Sequence, residues 1–118
     1  MSDCPFCDKI ANGGDEHGPV FPAAAVDVYR FAPLNPVTDG HMLFVPRLHV
    51  RHASDGVIAT SDAVTAAIIY ASRQRIVGYN LIQSNGAPAT QTVPHVHVHL
   101  VPRHDGDGLT LPWSGGAQ

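Results

Sequence analysis

Several features that would assign this chain to a specialised class of protein are missing from its sequence. No apolar run approaches the length of a transmembrane helix, and the opening residues Met1-Ser2-Asp3-Cys4 show no signal-peptide pattern. Only two cysteines are present, Cys4 and Cys7, and they lie too close together for an ordinary disulfide framework. These absences predict a protein of the reducing cytoplasm.

Charged residues are also scarce. Asp, Glu, Lys and Arg make up 14% of the chain, and the net charge is −3 with histidine neutral. A nucleic-acid polymer is therefore not expected as the main partner, and nothing predicts binding to a membrane. Hydrophobic residues reach 44%, and 118 residues suffice for one compact domain but not for two. The composition predicts a single globular, soluble domain.

Histidine, by contrast, is abundant, with eight residues in the chain. His95, His97 and His99 alternate with apolar residues, which predicts a strand whose three rings project from one face while the apolar residues point into a core. Neighbouring rings would lie roughly 6.5–7 Å apart. A solvated strand face is the plain alternative, but such faces usually carry Thr, Lys, Glu and Ser. A site that needs several imidazoles is the better interpretation.

Periodicity along the rest of the chain predicts an α+β fold. Strands are expected at 26–31, 41–45, 80–83 and 96–101, with a short edge strand at 19–22. A short helix is expected at 5–11 and a longer one after a cap at Thr60 or Ser61. Strands on both sides of one long helix suit an antiparallel sheet with helices on one side.

Three segments of the chain resemble the histidine triad (HIT) family, whose signature is His-x-His-x-His followed by apolar residues. They are the run from Ser84 to Arg103 with its approach Gln91-Thr92-Val93, the segment from Asn35 to Val50, and the N-terminal Cys4-Pro5-Phe6-Cys7, which looks like the start of bacterial members. The resemblance implies a five-stranded antiparallel sheet with helices, commonly paired into a homodimer. We expect a HIT domain at 1–104 and a C-terminal tail at 105–118.

The resemblance also implies catalytic roles for four histidines. His97, the central one, matches the family's nucleophile, which would attack the α-phosphorus of a nucleotide and form a covalent nucleotidyl intermediate. A backbone carbonyl near His95 would hold its tautomer. His99 would donate to the phosphate oxygens. His41 matches a further family histidine facing the same site, although it could simply begin a strand.

Further polar residues are expected beside the phosphate, namely Ser84, Asn85, Gln91 and Thr92. Gln91 and Thr92 have ordinary loop structure as an alternative. The family often has Asn or Gln where this chain has Ser84, which can still donate one hydrogen bond. It usually has Asp or Asn, which binds ribose hydroxyls, where this chain has Pro33. Proline has no side-chain donor or acceptor for ribose.

The cysteine pair by itself indicates little, and a redox pair or no function are alternatives. The resemblance implies that zinc is bound by Cys4, Cys7, His49 and His95. This Cys₂His₂ set would form a closed structural site. His52 is the alternative to His49.

The expected activity is a HIT hydrolase or nucleotidyl transferase acting on nucleoside phosphoramidates, dinucleoside polyphosphates or related conjugates. A second hypothesis is a metal-dependent hydrolase whose metal is held by the three triad histidines. A regular strand, however, spreads three rings over roughly 13 Å, too far for one ion. A third is a non-catalytic nucleotide-binding module. The segment from Leu109 to Trp113 is further expected near the mouth of the active site of its own or a partner subunit, unless Trp113 merely covers the core.

Overall fold

The computed structural model describes residues 4–12 and 27–113. The helices in these ranges are α1 (Pro5–Ala11) and α2 (Val57–Arg73), and the strands are β1 (Val28–Phe31), β2 (Met42–Pro46), β3 (Tyr79–Ile82) and β4 (Val98–Pro102). Short 3-10 turns at Ala53–Asp55 and Ala87–Ala89 lie in the connections. Within the described ranges, no helix is long and apolar enough to cross a membrane.

The strands form one antiparallel sheet in the order β1-β2-β4-β3. His99 of the central strand β4 lies opposite Leu43 of β2 on one side and Ile82 of β3 on the other. The predicted α+β class is therefore confirmed. Of the five strands expected, the described residues contain four, and the edge strand predicted at 19–22 lies outside them.

Helix α2 covers one face of the sheet through small side chains. Its buried residues are the alanines Ala59, Ala63, Ala66, Ala67 and Ala71. Four of these pack against Val28, Phe44, Val98 and Leu100 of the sheet. Alanine favours the helix and has a short side chain, so α2 can lie close to the sheet without voids. This face is a largely apolar core, in which Arg30 of β1 stacks over Tyr70 of α2 and donates to its hydroxyl at 2.9 Å.

Helix α2 begins earlier in the chain than the sequence analysis predicts. Its first residue is Val57, and Gly56 precedes it as the cap. The Thr60 hydroxyl donates to the Gly56 carbonyl oxygen at 2.8 Å, so it bonds back along the first turn and does not cap the helix. The prediction of a cap at Thr60 or Ser61 is therefore wrong. Glycine suits position 56 because an added Cβ would lie 2.7 Å from the Val50 side chain.

Helix α1 covers part of the opposite face. It begins after Cys4, whose sulfur accepts a hydrogen bond from the Cys7 N–H at 3.4 Å. Phe6 of this helix is buried with Phe31, Leu43 and Val45 of the sheet. This second face is therefore apolar near α1, and the functional side chains lie beside that apolar patch.

Only the last histidine of the triad lies in a regular strand. β4 begins at Val98, so His95 and His97 precede it. The His95 N–H donates to the Val93 carbonyl oxygen at 2.8 Å and closes a tight turn around Pro94, which has no N–H for a strand ladder. The prediction of three evenly spaced rings on one strand face is therefore wrong.

Candidate active site and metal centre

A cavity of about 440 Å³ lies on the face of the sheet that carries α1. Phe6, Leu43, Val93 and Val101 contribute to its apolar wall. Its polar lining consists of Asn35, Ser84, Thr90, Thr92, His41, His97 and His99. No Asp, Glu, Lys or Arg is found among the described residues that line it. The chemistry available in this cavity is therefore that of imidazole and of small neutral donors.

His97 presents one ring nitrogen to this cavity in a defined protonation state. Its Nδ1 lies 2.7 Å from the carbonyl oxygen of His95. A carbonyl only accepts hydrogen bonds, so Nδ1 carries the proton and, in the neutral ring, Nε2 has a free lone pair. Burial lowers the pKa of His97, partly opposed by this hydrogen bond. The ring is thus held neutral with Nε2 unprotonated, and the carbonyl expected near His95 accepts the Nδ1 proton.

His41 and His99 form a directed pair beside it. The Val37 N–H donates to His41 Nδ1 at 3.1 Å, so neutral His41 carries its proton on Nε2. That Nε2 lies 3.0 Å from His99 Nδ1, which must accept, and neutral His99 therefore carries its proton on its own Nε2. Burial, and then the neighbouring His97 and His41, lower the pKa of His99 to about 4. His99 is consequently a neutral N–H donor at pH 7.

The triad rings are packed more closely than a regular strand allows. The ring centres of His97 and His99 are 5.1 Å apart, and those of His41 and His99 are 5.2 Å apart. The irregular backbone before β4 brings His97 towards His99. His95 points away from this group, since its ring lies against His49 at 4.8 Å. The triad histidines therefore serve two separate clusters and do not converge on one ion.

The predicted phosphate-binding residues divide into two groups. Ser84 and Thr92 line the cavity. Asn85 instead accepts the Ala53 N–H at 2.8 Å, and its amide pairs with the side chain of Gln83. Asn85 therefore stabilises the loop outside the described lining of the cavity.

Gln91 has a similar place in the loop. Its side-chain oxygen accepts the Gly86 N–H at 2.7 Å, and its Nε2 donates to the carbonyl oxygens of Arg51 and Val93 at 2.7 and 3.1 Å. All its polar atoms are engaged in shaping the loop. Thr90, which the sequence analysis did not single out, lines the cavity with a left-handed backbone (φ 67°). A positive φ at threonine is uncommon, and nothing in the local sequence predicts it.

The two cysteines meet two histidines at the edge of this site. Cys7 Sγ lies 3.2 Å from His49 Nδ1 and 3.5 Å from His95 Nδ1, and Cys4 Sγ lies 3.4 Å from His95 Nδ1. All four donor atoms lie within 4.8 Å of one another. We call this set the Cys/His cluster. His52 is not in it, because its Nδ1 faces Asp55 at 3.5 Å.

The geometry of the Cys/His cluster fits a zinc ion. Bonds of about 2.3 Å to sulfur and about 2.0 Å to nitrogen place tetrahedral ligands roughly 3.5 Å apart, as the sulfur–nitrogen distances require. His95 Nε2 donates to the Pro46 carbonyl oxygen at 2.7 Å, which leaves Nδ1 as the ligand atom. Burial, and then the hydrogen bond and charge of Cys4, raise the pKa of Cys7 to about 11. Two adjacent sulfurs would thus ionise only with a cation between them.

The tail lies away from the cavity of its own chain, and its predicted place at the mouth of a partner's cavity stays a prediction. Trp113 is 55% exposed, and no residue from Leu109 to Trp113 lines the cavity in this chain. Arg103 holds the start of the tail, because its guanidinium donates to Asp107 and to the Leu109 carbonyl oxygen. The carboxyl of Asp107 also accepts the N–H groups of His104 and Leu109. The start of the tail is therefore tied to Arg103, which also donates to the Asn80 side chain of β3 at 2.8 Å.

The structure combines an antiparallel sheet, one long helix, a cavity lined by histidines and an adjacent Cys₂His₂ cluster. These features together define an α+β protein whose functional site is built from histidines. The family model for the HIT domain matches residues 24–106, which is more than half of the chain. The protein belongs to the HIT family, as its triad and N-terminal Cys-x-x-Cys predict.

Relatives of known sequence agree with this assignment. A HIT-like protein of Methanocaldococcus jannaschii is 34% identical over 89% of this chain and 82% of its own length. The adenosine 5'-monophosphoramidase HNT1 of Saccharomyces cerevisiae is 35% identical over 72% of this chain and 55% of its own length. The adenylylsulfatase HINT3 of Arabidopsis thaliana is 31% identical over 92% of this chain and 56% of its own length. The predicted enzyme class, a HIT-type hydrolase, is confirmed.

Solved structures agree as well. A histidine triad nucleotide-binding protein from Candida albicans superposes with a TM-score of 0.76 at 28% identity, covering 98% of this chain and 86% of its own. A zinc-bound histidine triad family protein from Mycobacterium smegmatis superposes with a TM-score of 0.68 at 28% identity, covering 92% of this chain and 81% of its own.

Proposed function

We propose that this protein hydrolyses nucleoside phosphoramidates through a covalent nucleotidyl intermediate on His97. The observation that carries the proposal is the 2.7 Å hydrogen bond from His97 Nδ1 to the His95 carbonyl oxygen, which leaves Nε2 unprotonated beside the cavity. A buried neutral imidazole with one fixed proton is a nucleophile suited to phosphorus near pH 7. One named relative, the yeast HNT1, is itself an adenosine 5'-monophosphoramidase.

In the first step, His97 Nε2 attacks the α-phosphorus and the phosphorus–nitrogen bond breaks. The leaving amine takes its proton from solvent. The His95 carbonyl stabilises the positive charge on the modified ring, and the Nε2–H of His99 opposes the charge on the phosphoryl oxygens. In the second step, water attacks phosphorus and loses a proton, the bond to Nε2 breaks, and the mononucleotide leaves.

The absence of charged side chains from the described lining favours phosphoramidates over dinucleoside polyphosphates. A polyphosphate brings several negative charges into the cavity, and burying each without a cation is costly. A phosphoramidate monoester brings one, which neutral N–H and hydroxyl donors can solvate. Ser84 and Thr92 are the side chains we assign to this task, and Asn85 and Gln91 support them through the loop. The Thr90 hydroxyl is not assigned, because it donates to the Ala89 carbonyl oxygen.

The His97→Ala variant tests this function. It should hydrolyse adenosine 5'-phosphoramidate several orders of magnitude more slowly than the wild type, while it still binds adenosine 5'-monophosphate, because only the covalent route is removed. Product formation is measured by chromatography, and the intermediate is sought by mass spectrometry after acid-free quenching. His104→Ala, which replaces an exposed histidine outside the cavity, is the matched control. Near-normal turnover by His97→Ala would contradict the proposal.

The remaining parts of the proposal concern the metal and the assembly. We assign zinc, in a structural role, to Cys4, Cys7, His49 and His95. A homodimer through α2 and the neighbouring strand edge is also proposed, because Ile68 of α2 is exposed (45%). A mass in solution twice that of the 12.5 kDa chain would support the dimer, and a monomeric mass would contradict it. Location in the cytoplasm stays a prediction from the sequence.

A further inference from the structure

Phe6 lies between the Cys/His cluster and the nucleophile. Its ring is buried, lines the cavity and packs edge-on against His97, with ring centres 5.0 Å apart at 83°. The same ring lies 6.0 Å from His95 at 70°. Phe6 therefore contacts both the histidine that would bind the metal and the histidine that would attack phosphorus.

Among the described residues, the helix that carries Phe6 is joined to the sheet by a small set of packing contacts, by Lys9 over the Phe31 ring at 5.1 Å, and by this cluster. α1 has seven residues, and isolated helices shorter than roughly a dozen residues are not stable in water. Its apolar contacts with the sheet come mainly from Phe6 and Ile10. Cys4 and Cys7 lie on either side of Phe6, and their sulfurs contact His95 and His49 at 3.2–3.5 Å. A metal bound there would fix both ends of the turn that presents Phe6.

The Cys/His cluster is also connected to His97 through the backbone of His95. The carbonyl oxygen of His95 accepts the proton of His97 Nδ1 at 2.7 Å. The side chain of the same residue is held at Nδ1 by the cysteines and at Nε2 by the Pro46 carbonyl oxygen. The ring contact and the hydrogen bond that orient His97 therefore both run back to the Cys/His cluster.

We infer that Phe6 is a positioning residue through which metal occupancy of the Cys/His cluster sets the ring of His97 and one wall of the cavity. Loss of the metal releases α1, and Phe6 withdraws from His97. The cavity then loses an apolar wall, and the His97 ring loses the contact that opposes its rotation. Nucleotide binding should weaken although the core under α2 stays folded. This inference rests on the proposed function only for its ligand, adenosine 5'-monophosphate.

The test compares the zinc-loaded protein with the protein after chelation. Two quantities are measured: the affinity for adenosine 5'-monophosphate by calorimetry, and the nitrogen NMR signals of the His97 ring, which report its tautomer and mobility. Chelation should lower the affinity about tenfold, the size expected for loss of an aromatic contact, and should broaden the His97 signals. Unchanged affinity and unchanged His97 signals after chelation would overturn the inference.

Two variants on α1 distinguish a role of Phe6 in positioning the His97 ring from a general contribution to the packing of the helix. In the zinc-loaded protein, Phe6→Leu keeps an apolar side chain but removes the ring, and it should reproduce the effects of chelation while zinc content is unchanged. Chelation of Phe6→Leu should then weaken binding little further, because the two changes act through one contact. Ile10→Ala, on the same helix but outside the cavity lining, should lower stability and leave both readouts unchanged.

Other outcomes distinguish a failure of the inference about Phe6 from a failure of the proposed function. If Phe6→Leu with full zinc binds nucleotide as the wild type does, or if its effect and that of chelation add fully, Phe6 does not transmit the state of the cluster. Unfolding of the whole protein on chelation would also overturn the inference, because the metal would then hold the entire fold and not α1 alone. A zinc-loaded wild type that binds no nucleotide would contradict the proposed function, and the His97 signals would then decide this inference alone.

Discussion

The two faces of the sheet differ in what they bury. Under α2 the sheet buries mainly apolar side chains, including Phe44 and Leu100, against a row of alanines. Arg30 of β1 is the exception on this face, since it stacks over Tyr70 and its Nε is buried. Beside α1 the opposite face holds imidazoles and thiols, and His95 and His97 are as inaccessible there as many core residues. Alternate residues of the same strands point to the two faces. One face of the sheet therefore carries most of the apolar core, and the other carries the histidines of the candidate site.

This division has a physical reason. Apolar burial is non-directional, so the α2 face can be filled largely by shape. The histidines need directed partners, which two carbonyl oxygens, one N–H group and other rings provide. The α1 face is consequently held by hydrogen bonds and by the proposed metal more than by apolar contact. Its integrity should be lost under conditions that leave the α2 face intact.

The strongest test of this difference between the two faces compares variants of two adjacent residues of β2. Phe44 is buried under α2 and Leu43 lines the cavity. Phe44→Ala should lower the free energy of unfolding by about 3–5 kcal/mol through the cavity that it leaves. It should leave kcat/KM near that of the wild type at temperatures where the variant is folded. Denaturant unfolding and steady-state kinetics measure the two effects.

Leu43→Ala should show the reverse balance, with a smaller loss of stability and a clear loss of nucleotide affinity. The variant removes part of a wall that substrate touches and only part of a core. If both variants reduced activity and stability in the same proportion, the two faces would not be separable.

Removal of the metal is expected to have the next largest effect. Protein purified without added metal should contain zinc, and chelation should lower the thermal midpoint of unfolding, since structural zinc contributes folding free energy. The loss should be smaller than that of Phe44→Ala because α1 alone loses its anchor. Elemental analysis and calorimetry measure this. Absence of zinc, together with rapid alkylation of both cysteines in the folded protein, would count against the site.

Acid should loosen the α1 face first. The pKa of His99 falls from 6.5 to about 4 on folding, chiefly through burial and then through His97 and His41. Between these values the unfolded chain binds more protons, so stability rises with pH across this window and is lost as pH falls from 6.5 towards 4. The free energy of unfolding should therefore be lower at pH 5 than at pH 7.

A variant assigns that loss to one ring. His99→Asn should lose less stability than the wild type between pH 7 and pH 5, and His104→Asn should behave as the wild type. Urea unfolding at the two pH values provides the comparison. Equal losses in the wild type and in His99→Asn would show that another group is responsible.

The smallest expected effect concerns the sugar. Pro33 lines the cavity and offers no partner to ribose hydroxyls. The wild type should therefore turn over adenosine 5'-phosphoramidate and its 2'-deoxy analogue with similar kcat/KM. Pro33→Asp should favour the ribose substrate roughly fivefold to tenfold through new hydrogen bonds. Pro36→Asp, which lies outside the described lining, is the control. A strong ribose preference in the wild type would contradict this prediction.

Alternation and motif spacing in the sequence were sufficient for the general architecture. The apolar residues between the histidines predict a buried face, and Val96, Val98 and Leu100 are buried. Strands before and after one long helix predict the α+β class. These features follow from local rules, because alternation sets which side of a strand each residue occupies. The HIT resemblance then indicates His97 and the cysteine pair.

Only the tertiary structure decided which histidine ring nitrogens form contacts with one another and with the cysteines. His41 and His99 are far apart in sequence, and their 3.0 Å contact depends on the register that places Leu43 opposite His99. The choice of His49 over His52 depends on where the connection after β2 turns. The close approach of His97 to His99 depends on a turn before β4 that alternation alone does not reveal. Distances of this kind are set between elements by register and loop path, and periodicity within one element carries no information about them.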